Sequence, residues 1–160
     1  YDDWIIKRKE EGTATKNEFI YYEEYSIGFT TRYCNRHCNF CINKHHNKVK
    51  KGSSVKEFME VTEKRNKICL LDDNILAYEN WKEVFNELNS TGVYFEFRQG
   101  FDIRNLTEEK IKVMMNSNIR SNNIYFAFGE NLIMSILICM YCVLMMKQMN
   151  ILITFGKMTL

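Results

Sequence analysis

The hydrophobic period of this chain switches between two and about 3.6 residues, and each switch predicts an element. Glu24-Tyr25-Ser26-Ile27-Gly28-Phe29-Thr30 is an apolar, strand-like run. Lys44-His45-His46-Asn47-Lys48 is basic and polar, and Gly52-Ser53-Ser54 marks a turn. Val55 to Arg65 predicts a helix with Val55, Phe58, Met59 and Thr62 on one side. Ile68-Cys69-Leu70-Leu71 predicts a second strand whose C-terminal edge is Asp72-Asp73-Asn74. Trp81, Val84, Phe85 and Leu88 then fall at i, i+3, i+4 and i+7, one face of a helix, and Gly92 stops it. From Val93 to Arg98 the pattern alternates, with Tyr94, Glu96 and Arg98 on one face and Val93, Phe95 and Phe97 on the other, until Gly100 breaks the strand. Leu106 to Ile111 starts another helix: Thr107 caps it, Glu108 and Glu109 meet the positive end of its dipole, and Leu106 staples to Ile111. Ile124 to Phe128 predicts a fourth strand.

The order strand, helix, strand, helix, strand, helix, strand predicts an α/β fold with a parallel sheet, closing into a full or partial β/α barrel. Chemistry in such folds sits at the C-terminal ends of the strands. The segment after the first strand, Asp72-Asp73-Asn74, Arg98-Gln99 and Phe128 all fall at such ends. Residues 1–20 are polar and mixed in charge, with Trp4, Ile5 and Ile6 as their apolar cluster, and form a leader or the tail of a preceding element. Residues 21–160 form the main domain, and a first residue that is Tyr rather than Met predicts a longer reading frame.

The end of the chain breaks the pattern. Leu132 to Met146 has no charged residue, and six of the nine Met follow Met115. That apolar run is shorter than the roughly 20 residues needed to cross a bilayer, so it predicts a buried helix, followed by a strand at Ile151 to Phe155. The shift also fits a frameshifted or truncated end. Composition adds two constraints. There is no Pro, where about 5% is usual, and a net charge of +2 gives no electrostatic argument for nucleic acid.

The six Cys do not form a disulfide framework. Cys34, Cys38 and Cys41 are clustered, Cys69 lies in a strand, and Cys139 and Cys142 lie in the apolar block as buried, inert thiols. A reducing, cytoplasmic setting follows. The triplet reads C-N-R-H-C-N-F-C, directly after the first strand. Three thiolates this close hold one metal centre on a single loop. On a 4Fe–4S cluster they leave one iron open to another ligand. On zinc they need a fourth ligand, for which His37, His45 and His46 are nearby.

The C-x3-C-x2-C spacing, Phe40 before the third Cys, the preceding strand and Asp72-Asp73-Asn74 resemble the radical S-adenosylmethionine (SAM) superfamily across Tyr25 to Phe128. The resemblance implies a 4Fe–4S cluster held by Cys34, Cys38 and Cys41, with SAM chelating the open iron through its amino and carboxylate groups. Reductive cleavage of SAM would then start radical chemistry on a substrate. It places Phe40 near the SAM adenine and puts Asp72, Asp73 and Asn74 where many members carry Gly-Gly-Glu for the SAM amino group. Arg98 or Gln99 would reach the SAM carboxylate or ribose, and Phe128 completes the rim. An electron donor such as flavodoxin or ferredoxin is implied as partner. The family core has six β/α units; residues 21–160 have room for about five, with an atypical end over 131–160.

Other readings of the same residues stay open here. The Cys loop could be a structural or redox-sensing module binding zinc or iron–sulfur, or the chain an inactive truncated relative. Asp72-Asp73-Asn74 could form an Asx turn capping the next helix, and Asp102 and Arg104 an ordinary salt bridge. The apolar tail itself makes a prediction: lacking the charged face of an outer helix, it leaves a patch for a second copy to cover. Light scattering on the 160-residue chain at moderate concentration is expected to show self-association. A clean monomer counts against this, as does recovery only from detergent-extracted membranes.

Overall fold

A computed structural model of the protein describes residues 2–15, 23–39, 41–60, 65–120 and 124–127. Helix α1 (Asp2–Glu10) precedes strand β1 (Tyr25–Gly28) and the short strands β2 (Thr31–Arg32) and β3 (Lys50–Lys51). Then come α2 (Val55–Phe58), β4 (Lys67–Leu70), a 3-10 turn (Ile75–Ala77), α3 (Trp81–Ser90) and β5 (Tyr94–Phe97). Strand β6 (Phe101–Asp102), a second 3-10 turn (Ile103–Asn105), α4 (Glu108–Met115) and β7 (Phe126–Ala127) complete the order. The fold is mixed α/β.

Its centre is a three-stranded parallel sheet in the order β1-β4-β5. Its register aligns Ser26 with Ile68 and Phe95, and Gly28 with Leu70 and Phe97. That alternate set of side chains meets the apolar face of α3. Val84, Phe85 and Leu88 pack with Ile68, Leu70, Phe95 and Phe97 in one buried core that also takes in Ile75, Leu76, Ile111 and Met114. Phe85 is fully buried and touches Trp81, Phe95 and Phe97 ring to ring. The other set carries Cys69 opposite Glu96, both buried.

The helices predicted around Trp81 and after Thr107 form as expected. The Thr107 hydroxyl accepts from Lys110 N–H at 3.3 Å, and Gly92 has φ +71°, the left-handed conformation of a helix stop. Three elements differ. The helix expected over 55–65 ends at Phe58, where Met59 is extended. The competing partner is Ser26, whose hydroxyl accepts from Glu60 N–H at 2.9 Å and donates to Glu60 C=O at 3.1 Å; residues 61–64 lie outside the described residues. The fourth strand comes in two pieces. Ile119 bridges Phe95 in parallel, and β7 pairs in parallel with β6, aligning Phe101 with Phe126. Part of the expected polar leader is helix α1, with Ile5 buried.

Among the described residues the sheet is open, with no closed barrel. No helix among them is long and apolar enough to cross a membrane. The expectations for Leu132–Met146, Ile151–Phe155, Cys139 and Cys142 fall outside the described residues. The core itself is testable. Phe85→Ala should lower unfolding free energy by about 3–5 kcal/mol in urea titration, the range for deleting a buried aromatic ring. A loss under about 1 kcal/mol would mean that Phe85 does not join sheet and helix.

Candidate metal and cofactor site

The three clustered Cys lie in residues 33–49, and the base of this loop is tied shut. Strands β2 and β3 pair antiparallel, Thr31 with Lys51 and Arg32 with Lys50. Behind them Gly52 N–H donates to Thr30 C=O at 2.8 Å and Ser53 N–H to Phe29 C=O at 2.9 Å. A Cβ at Gly52 would lie 2.5 Å from the Phe29 carbonyl oxygen, so only glycine allows this approach.

Two carboxylates at the end of β4 hold the loop to the sheet. Asp72 is buried and accepts four hydrogen bonds, from the backbone N–H and the hydroxyl of both Thr30 and Thr31. Burial pushes its carboxyl above the ordinary range, against the downward pull of those four donors. Asp73 spans the loop: Oδ2 accepts from Tyr33 N–H at 3.0 Å and Oδ1 from the Asn43 amide at 2.7 Å. Tyr33 has φ +73°, a left-handed conformation that costs a non-glycine residue about 1–2 kcal/mol. Its N–H bond to Asp73 and the stacking of its ring on His46, centroids 3.8 Å apart, hold it there.

Each sulfur of the triplet meets a nitrogen donor from a different source. The Asn74 amide donates to Cys34 Sγ at 3.2 Å, and the Asn43 backbone N–H to Cys41 Sγ at 3.4 Å. The Arg104 guanidinium lies within hydrogen-bonding reach of Cys38. All three thiols are free and half-buried. Among the described residues no three His, Cys, Asp or Glu side chains converge closely enough to hold a metal ion. Of the candidate zinc ligands, His37 Nδ1 pairs with the Lys44 carbonyl, and His45 is exposed.

Behind the loop is a buried charge network. Asp102 accepts from Arg36 Nε at 2.9 Å and from Arg104 Nε at 2.7 Å and Nη2 at 3.1 Å. Desolvation opposes its charge, but the Arg104 and Arg36 bonds outweigh it and hold the carboxyl below the ordinary range. The Asn105 amide donates to both Asp102 Oδ2 and Asn74 Oδ1 at 3.3 Å. The salt-bridge reading of Asp102 and Arg104 therefore holds, in a buried rather than a surface setting. Sequence reasoning did not single out Arg36, Asn43 or Asn105. Their one sequence signal is position, two inside or beside the Cys triplet and one just after a strand.

The Asx-capping alternative fails. Asn74 precedes the 3-10 turn at Ile75–Ala77 and Asn80 precedes α3, and neither side chain caps. Arg98 and Gln99 follow β5 on the same rim with exposed side chains. Phe40 and Phe128 lie outside the described residues. Cys69 is buried in β4; desolvation, helped by Glu96 and opposed by Arg98, pushes its thiol up to about 11, which makes it inert.

Comparison with protein-family models, curated proteins and solved structures gave no match. The loop anchors make their own prediction. Asp72→Ala leaves two backbone N–H groups without their acceptor, each costing about 1–3 kcal/mol. Urea unfolding should show a loss of about 2–6 kcal/mol, with a smaller loss for Asp73→Ala, whose carboxylate is half-buried. Equal, minor losses in both would remove Asp72 as the anchor.

Proposed function

We propose that the protein is a radical SAM enzyme built on an open, partial β/α barrel, with a 4Fe–4S cluster at Cys34, Cys38 and Cys41. The observation that carries this reading is the donor set: three free thiols on one tied loop beyond the C-terminal ends of β1 and β4, each facing an N–H group. Thiolates and cluster sulfurs accept such bonds better than neutral thiols do. The donor set thus fits a sulfur-ligated iron centre, and no fourth Cys lies in the loop to occupy an open iron.

When bound, cluster and SAM would together supply a one-electron reductive cleavage that starts radical chemistry on a substrate. The chain's own residues would bind and orient. Cys34, Cys38 and Cys41 would hold the iron. Asp72 and Asp73 keep the loop seated on the sheet. A carboxylate accepts about four hydrogen bonds. Asp72 already has four, whereas Asp73 has two among the described residues. Asp73 is therefore our choice for the SAM ammonium, with Phe40, Asn74, Arg98, Gln99 and Phe128 as further contacts on the rim. Flavodoxin or ferredoxin would deliver the electron in a reducing cytoplasm.

Anaerobic reconstitution with iron and sulfide tests the reading. A brown protein with four irons is expected, and each of Cys34→Ala, Cys38→Ala and Cys41→Ala should lose them while Cys69→Ala keeps them. Isothermal titration of SAM should then show Asp73→Asn weakened about 10-fold or more, from the 1.5–3 kcal/mol of a charged hydrogen bond. A colourless zinc protein would favour the structural module instead. Four irons retained in all three single variants would sink the ligand assignment.

A further inference from the structure

We infer that Arg104, aimed by the positioning residue Asp102, raises the reduction potential of the metal centre proposed at Cys34, Cys38 and Cys41; the inference rests on that proposal. The geometry is a relay from one buried carboxylate to two of the three sulfurs. Asp102 grips Arg104 through Nε and Nη2, at 2.7 and 3.1 Å. That two-point grip fixes the plane of a long, flexible side chain. The guanidinium so held reaches Cys38. On the other branch Asn105 donates to Asp102 and to Asn74, and Asn74 donates to Cys34.

Arg36 completes the arrangement. It belongs to the Cys loop itself and binds Asp102 at 2.9 Å, so the carboxylate holds the loop and the cation with the same two oxygens. Reduction adds negative charge to an iron–sulfur centre. A cation and N–H donors at its sulfurs favour the reduced state, and hydrogen bonds to sulfur and local charge are what set such potentials. Arg104 is one-third exposed, so the side chain can be exchanged without opening the core.

The test uses the 160-residue chain, reconstituted anaerobically with iron and sulfide and titrated with dithionite under electron paramagnetic resonance. Arg104→Met should hold the cluster at a more negative midpoint potential than the unaltered protein. Arg104→Lys, which keeps the charge but loses the fork, should fall between the two. Asp102→Ala, which frees both arginines, should release iron to a chelator about 10–100-fold faster, the usual range for residues that support metal ligands. A potential unchanged in both Arg104 variants would overturn the inference and leave the cluster assignment standing. An unaltered protein that takes up no cluster would overturn that assignment and this inference with it.

Discussion

A carboxylate taken out of water has to find donors or give up its charge. Asp72 finds four, on the two consecutive residues Thr30 and Thr31. Everything at the rim is referenced to this contact. It fixes the chain just beyond β1 against the chain just beyond β4, and so sets where β2 can begin and where the Cys loop leaves the sheet. The next residue, Asp73, repeats the device one step outward and closes on Tyr33 and Asn43 at the two ends of the triplet. The pair thus does at the sheet edge what an apolar core does beneath it, with hydrogen bonds whose directions permit one loop conformation.

Polar specification has a cost that the loop shows openly. Tyr33 is the single non-glycine residue with positive φ among the described residues. Strain of this kind persists where the surroundings over-determine it. Here Asp73, His46 and the paired strands β2 and β3 all act on the same few atoms. The strain sits immediately before Cys34, where the direction of the chain decides which way the first sulfur faces.

Much of the scaffold was legible in the sequence because it rests on apolar period. The i, i+3, i+4, i+7 face from Trp81 and the alternation through Phe95 and Phe97 have one low-energy solution, and the structure adopts it. The Thr107 cap was legible for a similar reason, since a hydroxyl before two Glu has few other uses. Where polar partners decided the outcome, sequence was silent. Nothing local says that Ser26 would take both hydrogen-bonding groups of Glu60, yet that contact is what the shortened α2 runs into. Nor does the pattern show that Asp102 would be buried between Arg36 and Arg104, which are separated from each other by most of the sheet. The expectation for Asp72-Asp73-Asn74 located the right place but not the division of labour. Counting donors around each oxygen required coordinates.

The paired strands β2 and β3 have a consequence for loop entropy. The crossover from β1 to β4 spans residues 29–66, but the Arg32–Lys50 pair closes a smaller ring around residues 33–49. Closing the smaller ring costs less chain entropy, by about 0.7 kcal/mol from the logarithmic dependence on length. More usefully, it separates two ordering problems. The sheet can form without the Cys segment settling, and that segment can lengthen, shorten or reorganise around a ligand without changing the register of β1 and β4. Such a fold can keep its scaffold while the chemistry carried between Tyr33 and Val49 varies.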